Sequence, residues 1–345
     1  MSAVGFGIIG CGNISTIHAQ AIQAIPQARL KALHSHSGPR AEKMARQYEV
    51  DFEPHLDSLL ARKDIEVVSI CTPSGTHAEL GARAASAGKH VIVEKPIDVT
   101  LEKAQELITA CRKANVKLAV IFQARFLPAV QILKKAIERG RLGKLILADA
   151  HVKWYRNREY YDAARWRGTL SLDGGGALIN QSIHTIDLLQ YLAGPAASVF
   201  GFAERKLHSY IEAEDTAVAV LKFKNGAVGV LEGATSIYPG FSRRVEIHGE
   251  KGSVILDGND ITAWKLSESG DEEKELAQLK DRDLSNGASD PMALDITGHR
   301  RQIEDLLAAI QQDRSPMIDG EEGLKALELV LAIYRSAHEQ ALVKL

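Results

Sequence analysis

The first residues whose types and spacing could do chemistry are Gly10-Cys11-Gly12-Asn13-Ile14-Ser15, between an apolar run and a helical one. In a strand–turn–helix connection the first glycine permits the tight turn, and the second lets backbone approach a pyrophosphate. Helix N–H groups at Asn13 and Ile14 would then face the phosphates. Ser15 stands where a third glycine or alanine is usual, so the match is partial. The plain alternative is an ordinary turn, but placement in a first βαβ unit favours a dinucleotide site. The end of the second strand chooses between NAD and NADP, because a carboxylate there holds the ribose 2′-hydroxyl. That stretch is His34-Ser35-His36-Ser37-Gly38-Pro39-Arg40, with no carboxylate. Ser35, His36 and Ser37 can hydrogen-bond and Arg40 can supply charge, which favours NADP over NAD. The alternative is a solvated turn followed by a helix-facing arginine. Cys11 is read as a small spacer, with thiol sensitivity as the second reading.

A second concentration runs from Trp154-Tyr155-Arg156-Asn157-Arg158-Glu159-Tyr160-Tyr161 to Trp166-Arg167, in a chain only 6% aromatic. Flat rings and forked guanidinium groups suit sugars and attached carboxylates or phosphates. A subunit interface uses the same residue types, and both readings stand open. Tyr155, Trp166 and Arg167 are the substrate candidates here, and Arg125 is a further one. His299 reads as a surface residue. The twelve histidines form no metal-ligand motif.

These residues need elements to hold them. At 345 residues the chain suggests two domains. Its 45% apolar and 25% charged content is that of a folded protein, and a net charge of −2 gives no field for nucleic acid or anionic membrane. Three isolated cysteines fit free thiols in a reducing compartment. No apolar run reaches the ~20 residues of a membrane helix, and no secretory leader is read, so a cytoplasmic location is expected. Apolar runs at 4–9, 29–34, 66–71, 90–93 and 117–121 predict buried parallel strands, with helices at 40–48, 76–87 and 100–114 between them. Thr100 is placed as an N-cap. A doubly wound sheet over 1–123 follows. From 124 to 345 the pattern changes to a helix near 127–139, strands at 145–155 and between 197 and 266, and helices at 296–312 and 321–340. Hairpins at Lys224-Asn225-Gly226 and Gly249-Glu250-Lys251-Gly252 predict an antiparallel sheet with one open face. The polar, acidic segment 268–289 reads as a surface loop.

Further motifs are Cys71-Thr72-Pro73-Ser74-Gly75-Thr76-His77 and Ala87-Gly88-Lys89-His90-Val91-Ile92-Val93-Glu94-Lys95-Pro96. With the glycine loop, Gly174-Gly175-Gly176, His184, Asp187 and Gly320-Glu321-Glu322-Gly323, the chain resembles the glucose–fructose oxidoreductase/inositol dehydrogenase/rhizopine-catabolism (Gfo/Idh/MocA) family. The resemblance covers nearly the whole chain, and Glu-Lys-Pro is its most specific part. It implies an α/β protein: an N-terminal Rossmann doubly wound parallel sheet, then an α/β domain with a largely antiparallel, open-faced sheet used for homodimers or homotetramers. It implies hydride transfer between NAD(P) and a sugar, cyclitol or sugar-derivative alcohol or ketone, and places Thr72, Pro73, His77, Glu94 and Lys95 along the cofactor. Lys95 would lie near the nicotinamide and the reacting carbon. A lysine ammonium there stabilises a developing alkoxide and can exchange protons, whereas the bland reading is a surface lysine before Pro96. The resemblance also puts His184 at substrate, four residues after an aspartate that here is Asn180. On one helix face the two would meet substrate, but asparagine cannot accept a proton as a carboxylate does. Lys95 and His184 are left as the acid/base pair; packing beside Asp187 is the alternative for His184. A redox-neutral glycosidase with held NAD and a cofactor-binding sensor are the rival functions.

Overall fold

The computed structural model describes residues 3–279 and 296–345. They belong to two compact units, Met1–Gln123 with Ile296–Leu324, and Ala124–Asp295 with Lys325–Leu345. The change of unit at 123/124 falls where composition changes. The return of 296–324 to the first unit differs from a simple division of the chain into 1–123 and 124–345.

In the first unit β1 (Val4–Ile9), β2 (Ala28–His34), β3 (Asp51–Phe52), β4 (Val67–Ile70), β5 (His90–Val93) and β6 (Leu118–Val120) pair in parallel. Their order is β3-β2-β1-β4-β5-β6. The connections carry α1 (Asn13–Gln23), α2 (Gly38–Tyr48), α3 (Leu56–Ala61), α4 (His77–Ser86) and α5 (Leu101–Lys113). Helices on both faces explain why β4 and β5 are nearly continuous apolar runs. The order reverses between β1 and β4, the kind of crevice where open α/β sheets bind ligands. Thr100 caps α5 as read, its Oγ1 accepting the Lys103 N–H at 3.3 Å.

The second unit holds α6 (Pro128–Glu138), β7 (Leu145–Lys153), α7 (Arg158–Asp162), a π-helical turn (Ala177–Ser182) and α8 (Ile183–Ala193). Next come β8 (Ala196–Glu204), β9 (Thr216–Phe223), β10 (Val228–Ala234), β11 (Arg244–Gly249), β12 (Gly252–Asp257) and β13 (Asp260–Leu266). Helix α9 (Asp271–Ala277) follows. After α10 (Thr297–Gln311) in the first unit, α11 (Gly320–Glu339) begins there and ends in the second, which β14 (Val343–Lys344) completes. The sheet order is β13-β12-β11-β7-β10-β9-β8-β14, antiparallel except between β7 and β10. One face packs on α8 at β7 and β11, and α11 reaches β8 through Ser336 Oγ, which accepts from Gly201 N–H at 3.1 Å; alternate residues Ala217, Ala219, Leu221 and Phe223 on β9 are buried. The other face carries the cross-strand rows Phe200–Val220–Val230 and Phe202–Val218. Phe202, Val218 and Val220 there are exposed, so the open face is apolar in its β8–β10 part. Among the described residues no helix is long and apolar enough to cross a membrane.

Helix α9 corrects the loop expected over 268–289, of which 280–289 lie outside the described residues. Its acidic first turn suits a helix N-terminus. Glu272 is buried because Arg139 and Arg141 reach it at 3.2 and 3.5 Å.

The reason α10 belongs to the first unit is chemical as well as apolar. Beside Ile303, Leu306 and Leu307 in that core, buried Gln302 donates to Val120 O at 2.7 Å and accepts from Phe122 N–H at 3.1 Å. One side chain thus substitutes for a neighbouring strand at the edge of β6. Replacing Gln302 by leucine leaves a buried donor and a buried acceptor unmade, each costing roughly 1–3 kcal/mol. Urea unfolding of Gln302→Leu is expected to show a loss of about 2 kcal/mol or more; an unchanged midpoint would contradict this role.

Candidate active site

The dinucleotide loop sits at the switch point. Gly10 has φ +96°, and a Cβ there would lie 2.5 Å from Cys71 O, so only glycine fits where β1 and β4 end side by side. A Cβ on Gly12 would meet nothing within 4 Å, leaving the approach to the first turn of α1 open. No side chain caps α1, and its first turn has no acidic residue. Its N–H groups, from Asn13 and Ile14 on, suit a pyrophosphate. Ser15, in place of the third glycine, is buried, with its Oγ donating to Gly12 O at 2.5 Å. The residues present therefore fit a dinucleotide. Burial and nearby Cys71 push the Cys11 thiol up to about 11, which supports the spacer reading. Beyond β2, Ser35 is half-buried while His36, Ser37 and Arg40 are exposed.

After β5 the segment Glu94–Asp98 is fastened at both ends. Glu94 turns inward, 6% exposed, and its Oε1 lies 2.8 Å from His18 Nε2 on α1. The other His18 nitrogen, Nδ1, is 2.7 Å from Ser69 Oγ on β4. His299 Nε2 on α10 stands 3.7 Å from the same Glu94 oxygen. Burial alone would raise the Glu94 pKa, but the hydrogen bond from His18, with the His299 ring close by, holds it well below the usual carboxylate range. Burial disfavours charge on His18 as well; Cys71 and Glu94 outweigh it and push its pKa up to about 10. The pair is therefore imidazolium and carboxylate, with both ring nitrogens donating. The second carboxylate oxygen, Oε2, accepts the Lys95 backbone N–H at 3.2 Å. Further on, Pro96 O lies 2.7 Å from His77 Nδ1, and Asp98 accepts from Ala78 N–H at 2.9 Å and Val99 N–H at 2.7 Å. Lys95, half-buried, is the residue this fastening presents.

The placements revise several expectations. His299 is 1% exposed and part of the Glu94 cluster, not a surface residue. Three groups of metal-ligating type, His18, Glu94 and His299, come within 4.8 Å of one another, a convergence that linear spacing does not reveal. His77 is buried between Pro96 O and Thr72 O (2.9 Å to Nε2), so it ties two loops together rather than facing a cofactor. Thr72 Oγ1 meets Thr76 Oγ1 at 2.8 Å, and Pro73 O accepts from Thr76 at 2.7 Å. Asp98 and His18 were missed; the only sequence signal was a carboxylate two residues past Glu-Lys-Pro and a histidine on the first helix.

In the second unit Gly176 starts the π-turn, where a Cβ would fall 1.8 Å from Glu214 O. The buried Glu214 carboxylate accepts Gly176 N–H (2.9 Å), Leu178 N–H (2.8 Å) and Tyr334 OH (2.8 Å). That clamp sets Asn180, in the π-turn, and His184, half-buried in the first turn of α8. The single α-helical face expected for residues 180 and 184 does not apply across this change of helix type. Asn180 Nδ2 donates to Asp173, and Asn180 Oδ1 accepts from Gln181 at 2.7 Å. Gln181 also bonds Tyr160 OH (2.8 Å) and Arg156 Nε (3.1 Å). Tyr155, Trp166 and Arg167 are half-buried, and Tyr155 stacks edge-on with Tyr238 at 5.3 Å. Arg125 is corrected: it is 3% exposed and committed to Asp187 by two bonds of 2.8 and 2.6 Å. The two form a buried ion pair.

Comparison with known proteins agrees with this geometry. Residues 4–122 match the model of the oxidoreductase-family NAD-binding Rossmann fold, and residues 134–345 that of the oxidoreductase-family C-terminal alpha/beta domain. The chain is 29% identical to myo-inositol 2-dehydrogenase of Thermotoga maritima, over 98% of each chain. It is 30% identical to levoglucosan dehydrogenase of Pseudarthrobacter phenanthrenivorans, over 74% of each. The WlbA dehydrogenase of Bordetella pertussis, solved with NADH and UDP-GlcNAcA, superposes with a TM-score of 0.89 at 33% identity, covering 100% of this chain and 98% of that one. With both domain models matched and a dinucleotide loop, Glu-Lys-Pro turn and open sheet in place, the chain belongs to the Gfo/Idh/MocA family of NAD(P)-binding oxidoreductases.

Proposed function

We propose that the protein interconverts an alcohol and a ketone on a sugar, cyclitol or sugar derivative by hydride transfer, with Lys95 as the proton-handling group. The observation that carries this reading is the fastening of Glu94–Asp98, which leaves Lys95 as the presented side chain. The bound nicotinamide supplies or accepts the hydride. In the oxidative direction Lys95 Nζ, as the free amine, takes the hydroxyl proton while the carbon gives up its hydride and the C=O forms. In reduction the Lys95 ammonium returns that proton and stabilises the developing alkoxide. His184 assists the proton transfer, and Asn180, its amide held by Asp173, orients substrate. Asn13 and Ile14 hold the pyrophosphate. Ser35, His36, Ser37 and Arg40 receive the adenosine ribose and favour NADP over NAD, since no carboxylate repels a 2′-phosphate. The exposed apolar face of β8–β10 supports pairing of subunits as a homodimer or homotetramer.

Two measurements test this. Absorbance at the reduced-nicotinamide band, with sugars and cyclitols offered beside NADP and NAD, is expected to give a signal that Lys95→Met lowers about 100-fold or more in kcat. Cofactor binding should survive in that variant; near-normal hydride transfer at saturation would sink the assignment. Arg40→Asp is expected to lower kcat/KM for NADP about 10-fold while sparing NAD, the scale of one charge-assisted bond. Equal effects on both cofactors would remove Arg40 from 2′-phosphate recognition.

A further inference from the structure

Two guanidinium groups of the second unit lie against one ring. Arg156 Cζ is 5.4 Å from the Tyr160 centroid and 4.9 Å from that of Trp154; Arg167 Cζ is 4.1 Å from Tyr160 and 6.0 Å from Trp166. Arg156 is only 8% exposed. Every acceptor these guanidiniums reach is neutral. Arg156 donates to Gln181 Oε1 at 3.1 Å and Tyr155 O at 3.3 Å, and Arg167 to Tyr160 O at 2.6 Å. Among the described residues neither has a carboxylate within 4.0 Å. The neighbouring acid, Asp173, is spent on Gly168 N–H at 2.8 Å and on Asn180. Elsewhere this chain pairs its buried arginine: Arg125 takes Asp187 in a fork.

Holding a buried and a half-buried guanidinium beside each other without a counter-ion is unfavourable. Burial, and to a lesser degree the charge of Arg167, lowers the Arg156 pKa despite the phenols around it. Donors are left over as well. Arg167 Nε and Trp154 Nε1 are buried with no hydrogen-bond partner. An oxyanion satisfies both deficits at once, because a guanidinium fork matches the two oxygens of a carboxylate or phosphate. Aromatic rings at its side suit the apolar faces of a pyranose. Gln181, which bonds Arg156, is adjacent to Asn180 in the π-turn, so the anion would be anchored beside a substrate-orienting residue.

Resting on the carbohydrate reading above, we infer that Arg156 and Arg167 form an oxyanion site for a carboxylate or phosphate carried by the substrate. The natural substrate is then an acidic sugar or cyclitol derivative rather than a neutral one.

The test reads binding, not turnover, so it stands apart from the oxidoreductase assignment. Tryptophan fluorescence of the full chain would be titrated with D-glucuronate, D-glucose 6-phosphate and D-glucose. At least one anionic probe is expected to bind 10-fold or more tightly than glucose; which one does so separates carboxylate from phosphate. Arg156→Gln and Arg167→Gln should each reduce that preference to about two-fold or less, and Arg167→Lys, which keeps charge but loses the fork, to an intermediate value. Thermal melting identifies any variant that fails to fold, in which case Arg167→Lys carries the comparison. Equal binding of glucose and both anions by the wild type, or a preference that survives in folded variants, overturns the inference. Cofactor reduction by neutral sugars without anion preference would overturn the oxyanion site alone and leave the oxidoreductase reading intact.

Discussion

The first unit depends on how it buries the charge of Glu94. A carboxylate 6% exposed survives there because His18, itself fully buried and charged, meets one oxygen at 2.8 Å. Ser69 takes the other imidazole nitrogen, and the Lys95 N–H takes the second carboxylate oxygen. Removing one partner from such a pair typically costs about 3–5 kcal/mol, since a charge remains without compensation. The chain links α1, β4, the turn after β5 and α10, so a single electrostatic requirement ties the dinucleotide loop to Lys95. Its pH window follows from the shifts. The depressed Glu94 pKa contributes stability above the unfolded carboxylate range that is lost as pH falls through the folded value. The raised His18 pKa contributes stability present below the ordinary histidine value and lost as pH rises through about 10.

The second unit uses a carboxylate for the same purpose with the opposite balance. Glu214 receives three hydrogen bonds at the start of the π-turn, yet burial outweighs them and pushes its pKa up to about 7. Its contribution is present below about 4.5 and lost as pH rises through about 7. Both units therefore place a buried acid directly behind the backbone that presents a reactive side chain. Position comes from these clamps, and the side chains at the surface of each clamp are left for chemistry.

The strands were legible because burial on two faces or one writes itself into apolar runs or alternation. The runs at 4–9 and 90–93 coincide with β1 and β5, and both glycine hairpins lie where they were read. What escaped was held by tertiary partners. Two-residue β3 carries no pattern, and α9 looks like loop until Arg139 and Arg141 pair Glu272. At the site the glycine loop and Lys95 were visible from local motifs, while His18, Asp98 and Glu214 act through contacts 20 or more residues away. Arg125 and His299 misled for the same reason. An arginine looks available, and a histidine superficial, until the fold supplies Asp187 to one and Glu94 to the other.

The most direct measurement is hydrogen–deuterium exchange, read by mass spectrometry over residues 93–99, in the wild type and in His18→Gln. The buried ion pair holding the Glu-Lys-Pro turn should make that segment slow to exchange in the wild type. Loss of the imidazolium should speed it about 10-fold or more, while the β1 and β4 segments stay protected. Unchanged protection of 93–99 in a folded His18→Gln protein would contradict the account, because the turn would then be held by something other than the charge on Glu94.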